Sequence, residues 1–113
     1  MIKVKILIVD DEVDYCMLMQ NYFEERDYDV FMAFNLAEGM RLLEKIKPEI
    51  MFLDNQLPDG EGWKKIEEII NIFPEIRLFL ISAYGEKPET IKKRKNITFW
   101  EKPISTSDLD EVF

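Results

Sequence analysis

The sequence predicts an α/β fold, a doubly wound sheet of five parallel strands in (βα)5 order. Three observations carry that expectation. Short apolar runs alternate with longer amphipathic stretches five times along the chain. The clearest of these runs are apolar at nearly every residue, as strands covered on both faces must be. Proline, asparagine and Asp-Gly punctuate the junctions. At 113 residues the chain reads as one domain, 1–113, large enough to bury roughly two-thirds of its unfolded surface.

Residues 3–10 hold Val4, Ile6, Leu7, Ile8 and Val9 and read as the first strand, central and ending on the acids Asp10, Asp11 and Glu12. Residues 13–26 place Tyr15, Leu18, Met19, Tyr22 and Phe23 at i, i+3, i+4, i+7 and i+8, one apolar helical stripe. Cys16 falls about 100° from Tyr15, on the edge of that stripe. After a polar turn at 27–29, residues 30–34 form a second, less regular strand nearer the sheet edge. Asn35 is the N-cap of the next helix. Leu36, Met40, Leu43 and Ile46 are its buried face, and Pro48 closes it.

Residues 50–54 are the third strand, four apolar residues ending on Asp54. The turn-prone stretch 55–60 that follows sets this acid at a rim rather than in the core. Trp63, Ile66, Ile69, Ile70 and Phe73 repeat the helical stripe up to Pro74, and residues 76–82 are the fourth strand. Between Lys87 and Lys95 there is a single aliphatic residue, Ile91, so the stretch 83–96 reads as a short, loosely packed helix. Residues 97–102 are the fifth strand, ending at Pro103. Ser105, Thr106, Ser107 and Asp108 supply capping groups for a last helix carrying Leu109, Val112 and Phe113, which is short or truncated.

Right-handed crossovers join such strands into one sheet with helices on both faces. The flavodoxin-like order 2-1-3-4-5 places the ligand crevice at the carboxyl ends of strands one and three. Asp10, Asp11 and Asp54 converge there. Three carboxylates repel one another, so the site must protonate one or hold a cation. A hard divalent ion such as magnesium takes one or two carboxylates, a backbone carbonyl and several waters. Strands four and five end in Ser82 and Lys102, and a hydroxyl and an ammonium flanking a metal-bound carboxylate form a phosphoryl clamp.

Composition narrows the chemistry. A net charge of −8 argues against nucleic acid as a direct partner. The absence of histidine removes Ser-His-Asp and Cys-His triads and histidine-containing zinc sites together. The lone Cys16 excludes an internal disulfide and fits a reducing, cytoplasmic compartment. No apolar run approaches the ~20 residues of a membrane span, so no membrane partner is expected.

The acidic pair Asp10-Asp11, Asp54 with its turn Leu57-Pro58-Asp59-Gly60, Ser82-Ala83 and Lys102-Pro103 occur in one order across essentially the whole chain. By that ordered set the sequence resembles the receiver domains of two-component response regulators. The resemblance implies that Asp54 is the phosphoacceptor, that Asp11 binds magnesium directly and that Asp10 assists largely through water. Asp54 itself and the backbone carbonyl of Gln56 would complete the protein ligands. Ser82 would hydrogen-bond the phosphoryl group, Lys102 would contact it, Phe99 would be the aromatic switch, and the Lys102-Pro103 bond would be cis. The phosphodonor would be a histidine kinase or histidine phosphotransfer protein, since this chain has no histidine of its own.

An output domain or protein, or a second copy in a homodimer, would read the face built by the fourth helix, the fifth strand and the last helix. Phosphotransfer and autodephosphorylation would be self-catalysed, so the chain is not expected to be a turnover enzyme. Three departures stand out. The segment between Ser82 and Lys102 is a residue or two short, Phe99 lacks a hydroxyl, and Tyr84 is bulky beside the pocket, where with Gln56 it is expected to slow hydrolysis.

Each motif also has a plainer reading. Acids at 10–12 favour a helix N-terminus, Ser82 can be a strand-end hydroxyl, Lys102 a solvated lysine, Trp63 and Trp100 packing residues, and the basic run 92–95 a solvated helix face. These readings compete singly and not jointly. A phosphatase resembling the haloacid dehalogenases needs Asp-x-Asp, and Asp54-Asn55-Gln56 lacks the second acid. The stronger rival is a phosphorylation-independent, receiver-like protein-binding module, favoured by the weak pattern of the fourth helix.

Overall fold

The structure, a computed structural model, describes residues 2–83 and 96–113. The expected fourth helix, Tyr84 and the basic run at 92–95 lie outside the described residues.

Five strands form one parallel sheet: β1 Lys5–Val9, β2 Asp29–Ala33, β3 Ile50–Asp54, β4 Arg77–Ser82 and β5 Ile97–Glu101. Their order is β2-β1-β3-β4-β5, the expected 2-1-3-4-5. The register sets Val9 opposite Leu53, Asp54 opposite Ile81 and Ser82 opposite Glu101, so the strands end together at one edge. The central strands are covered on both sides. In β1 the residues Ile6 to Val9 are fully buried, and all of β3 is buried.

Alternation along these strands divides the core in two. Leu7, Val9, Met51, Leu53, Leu78 and Leu80 pack under α2 (Leu36–Ile46) and α3 (Ile66–Ile72). Ile6, Ile8, Phe52, Phe79 and Ile81 pack under α1 (Val13–Glu24) and the C-terminal helix (Thr106–Val112). On that second side Phe52 stacks on Phe79, with ring centroids 4.8 Å apart, and Phe113 lies 5.0 Å from Phe23 and 5.4 Å from Phe79. Phe113 is half-buried, so its contribution is a fraction of the roughly 1.5–3 kcal/mol that full burial of such a side chain is worth. Phe113 thus ties a seven-residue helix to the core that its length alone could not hold.

The caps follow the sequence. Asn35 Oδ1 accepts from Glu38 N at 2.8 Å, and Ser105 and Asp108 form a reciprocal capping box. α2 ends on Lys47 in the left-handed region, one residue before Pro48.

Two local expectations are corrected. The buried face of α1 is Cys16, Met19, Tyr22 and Phe23, while Leu18 is exposed, so Cys16 is central rather than marginal. Cys16 lies where α1 meets the end of β1, and its Sγ there donates to the Asp10 carbonyl at 3.4 Å. The helix expected from Trp63 starts instead as a 3-10 turn, Gly62–Lys65, and becomes α-helical at Ile66. Backbone contacts cause the delay. Gly62 N donates to Asn55 O at 2.8 Å, Trp63 N donates to Asn55 Oδ1 at 3.2 Å, and a Cβ on Gly62 would stand 2.2 Å from the Asp54 carbonyl.

Candidate functional site

The strand ends bring the acids together. Asp10 leaves β1 by continuing its ladder, with N donating to Ala33 O at 3.0 Å, and Asp54 is the last residue of β3. One carboxylate oxygen from each of Asp10, Asp11 and Asp54 lies within 4.8 Å of the others. Asp10 and Asp54 are buried and Asp11 is exposed. Asp54 therefore sits at the sheet's carboxyl edge as expected, yet buried, with the loop after β3 returning at Gly62 against its backbone carbonyl.

Lys102, just past β5, is the counter-charge. Its backbone N donates to Ser82 O at 2.8 Å, and the Lys102-Pro103 peptide is cis. Its Nζ lies 2.8 Å from Asp10 Oδ2, 3.3 Å from Glu12 Oε1 and 3.8 Å from Asp54 Oδ2. The ammonium thus rests on Asp10 rather than on Asp54. It also stands 5.1 Å from the Tyr15 ring centroid, within cation–π range.

Burial and mutual repulsion shape the titration of these groups. Burial, with the Asp10 charge adding to it, pushes the Asp54 carboxyl up to about 6, against the pull of Lys102. Burial likewise raises Asp10, opposed by its bond to Lys102 and by the Glu12 amide. Burial alone would lower Lys102, but Asp10, Asp54 and Glu12 together raise it, so the ammonium stays charged.

The remaining expected residues fall as follows. Ser82 is buried at the end of β4. Gln56 is exposed two residues past Asp54, in a two-residue antiparallel ladder, Gln56–Leu57 with Gly60–Glu61. Phe99 is half-buried in β5, with its ring 5.7 Å from that of Trp63. Its side chain joins the core under α2 and α3.

Four neighbours have roles at the site that the sequence alone does not reveal. Glu12 adds a third acid to Lys102, and its N donates to Asp10 Oδ1 at 3.0 Å. Asn55 and Gly62 fix the loop after Asp54, and Asp59 caps α2 from that same loop. An Asp-x-Glu spacing is a faint signal for the first, and Gly62 beside the turn is one for the loop.

The residues fit a hard divalent cation. Every donor is oxygen, and the one ammonium beside the three carboxylates among the described residues leaves their charge only partly offset. Such an edge can hold a cation beside a buried carboxylate and a fixed ammonium.

Comparison with known proteins agrees with this geometry. A family model described as response regulator receiver domain matches residues 6–113. The chain is 30% identical to sporulation initiation phosphotransferase F of Bacillus subtilis, over 99% of this chain and 90% of that protein. It is 29% identical to the chemotaxis protein CheY of Thermotoga maritima, over 80% of this chain and 77% of that one. A receiver domain protein from Methanospirillum hungatei superposes with a TM-score of 0.83 at 22% identity, covering 97% of this chain and 90% of that one. The sheet order, the acidic edge and these matches together place the chain in the response regulator receiver domain family.

Proposed function

We propose that residues 1–113 act as a single receiver domain that takes a phosphoryl group from a phosphohistidine onto Asp54 in a magnesium-dependent reaction. The observation that carries this reading is the cluster of three carboxylates within 4.8 Å of one another with one ammonium beside them. An Asp54 carboxylate oxygen attacks phosphorus, the phosphorus–nitrogen bond of the donor breaks, and its electron pair leaves with the imidazole, which is reprotonated from solvent. Asp10, Asp11, Asp54 and the Gln56 carbonyl would hold the cation. Bound there, it would neutralise charge on the transferring oxygens.

Lys102 supplies the second positive charge, and its move from Asp10 toward the new phosphoryl group is short. Ser82 contributes a hydroxyl donor from the end of β4. Reorientation of Ser82 frees space for Phe99 to turn away from Trp63, which alters the β5 face presented to an output partner, an output domain or a second copy. The donor is a histidine kinase or histidine phosphotransfer protein in the cytoplasm. The name of the Bacillus relative, a phosphotransferase, supports this chemistry. Because the nucleophile is the chain's own Asp54, the domain is the acceptor in the transfer rather than a turnover enzyme.

The test is intact-mass measurement after incubation with acetyl phosphate and magnesium, beside an Asp54→Asn control. Gain of one phosphoryl group in the wild type, absent without magnesium and absent in the variant, is the expected result. No gain in the folded protein with magnesium present would overturn the reading in favour of a phosphorylation-independent binding module.

A further inference from the structure

The ligands proposed above are not held equally. Asp54 is the last residue of central strand β3, paired with Ile81, and Asp10 directly follows central strand β1, its N continuing the ladder to Ala33 O. Gln56 stands outside that sheet. It lies exposed on the loop 55–62, and that loop must be rigid if its carbonyl is to serve a cation that tolerates little distortion of its coordination.

The base of the loop is closed. Asn55 accepts from Gly62 N and Trp63 N, Gln56 pairs with Glu61, and Leu57 is buried opposite Gly60. Its tip is fastened elsewhere. Asp59 Oδ1 accepts from Leu36 N at 2.6 Å, and Oδ2 accepts from Ala37 N at 2.9 Å. These are the first two residues of α2, whose amides have no partner within the helix. The helix already has a cap of its own in Asn35, which takes the Glu38 amide. Asp59 therefore does something that a local cap does not: it joins the loop after the phosphoacceptor to an element 22 residues earlier in the chain.

We propose that Asp59 is a positioning residue for the divalent cation, clamping the loop that carries the Gln56 carbonyl onto the N-terminus of α2. The inference rests on the proposed function, since it concerns the cation of that same site.

The comparison that tests it uses two variants. Asn35→Ala removes a cap of α2 that has no tie to the loop, and Asp59→Ala removes the one that has. Each purified chain, stripped with chelator, is titrated with magnesium by calorimetry and unfolded in urea. Both variants are expected to lower the urea midpoint. Asp59→Ala alone is expected to weaken magnesium binding, by about tenfold, the low end of what outer groups around a metal site cost. Asp59→Asn, which keeps one accepting oxygen, should fall between Asp59→Ala and wild type, and it serves as the readout if Asp59→Ala does not fold.

Wild-type affinity in the Asp59 variants, or equal loss in Asn35→Ala, would overturn the proposal and leave Asp59 a helix cap. Absence of any magnesium binding in the wild type would overturn the reading of the site itself, a failure visible without either variant.

Discussion

Replacing Asp54 with asparagine should stabilise the cation-free fold, and more at neutral than at acid pH. The native carboxyl titrates near 6 against an ordinary 3.8, so the folded state binds this proton more tightly than the unfolded chain. Stability from that proton is complete below the unfolded value and is lost as pH rises through the folded one. Between pH 5 and pH 7.5 the wild type loses about 1.4 kcal/mol by this route, one decade of the proton-binding ratio. An amide at this position does not titrate, so the Asp54→Asn chain has no such loss. Lys102 is not orphaned by the change, because Asp10 and Glu12 remain at 2.8 and 3.3 Å. The gap in unfolding free energy between variant and wild type should therefore widen by about 1.4 kcal/mol from pH 5 to pH 7.5. Urea unfolding in chelator at both pH values, each above the isoelectric point near 4.6, measures it. A gap that is the same at the two pH values would refute the view that Asp54 is held against its own charge.

Other perturbations probe the same neighbourhood. Lys102→Met leaves two buried carboxylates without their ammonium and should cost about 3 kcal/mol at pH 7.5 and less at pH 5, read by urea unfolding. Gly62→Ala puts a Cβ where only 2.2 Å separates it from the Asp54 carbonyl, and a backbone cannot yield cheaply. The expected loss is about 3 kcal/mol, seen as a lowered thermal midpoint. Tyr22→Phe removes the hydrogen bond that ties α1 to Asp110 of the C-terminal helix and should cost about 1 kcal/mol in the same assay. Unchanged midpoints in these last two would show the loop and the helix pair to be looser than drawn.

The parts of the fold legible in the sequence are those decided by neighbours along the chain. β3 is found at its expected bounds because four apolar residues between Pro48 and a polar turn leave a buried strand as the simplest reading. The acids are legible for the same reason, since they end runs whose direction is forced by a parallel sheet. What sequence could not reveal depends on contact between distant segments. Hydropathy ranks Leu18 above Cys16 for the core, but it is Cys16 whose direction on the helix brings it against the Asp10 backbone, fully buried. The delayed start of α3 comes from Gly62 lying against the Asp54 backbone. Glu12 reaches Lys102 across 90 residues, and no periodicity records such a pairing.

The site is built on self-repulsion that the fold tolerates. Among the described residues, Asp10, Asp11, Glu12 and Asp54 set four carboxylates against one ammonium, and the two that are buried are the two whose carboxyls are raised. The sheet cannot relieve this by moving them, since each stands at the end of a central strand. Relief must come from outside, as a proton on Asp54 or as a divalent cation, and the two compete for the same charge. Cation affinity should therefore fall as pH drops below about 6, in step with protonation of Asp54. Lys102 lowers this repulsion without removing it. Parked on Asp10 and Glu12, the ammonium offsets part of the repulsion while leaving Asp54 the more weakly paired carboxylate, 3.8 Å away. That state suits the proposed phosphoacceptor role of Asp54: charged at neutral pH, held in place, and not neutralised by its nearest cation.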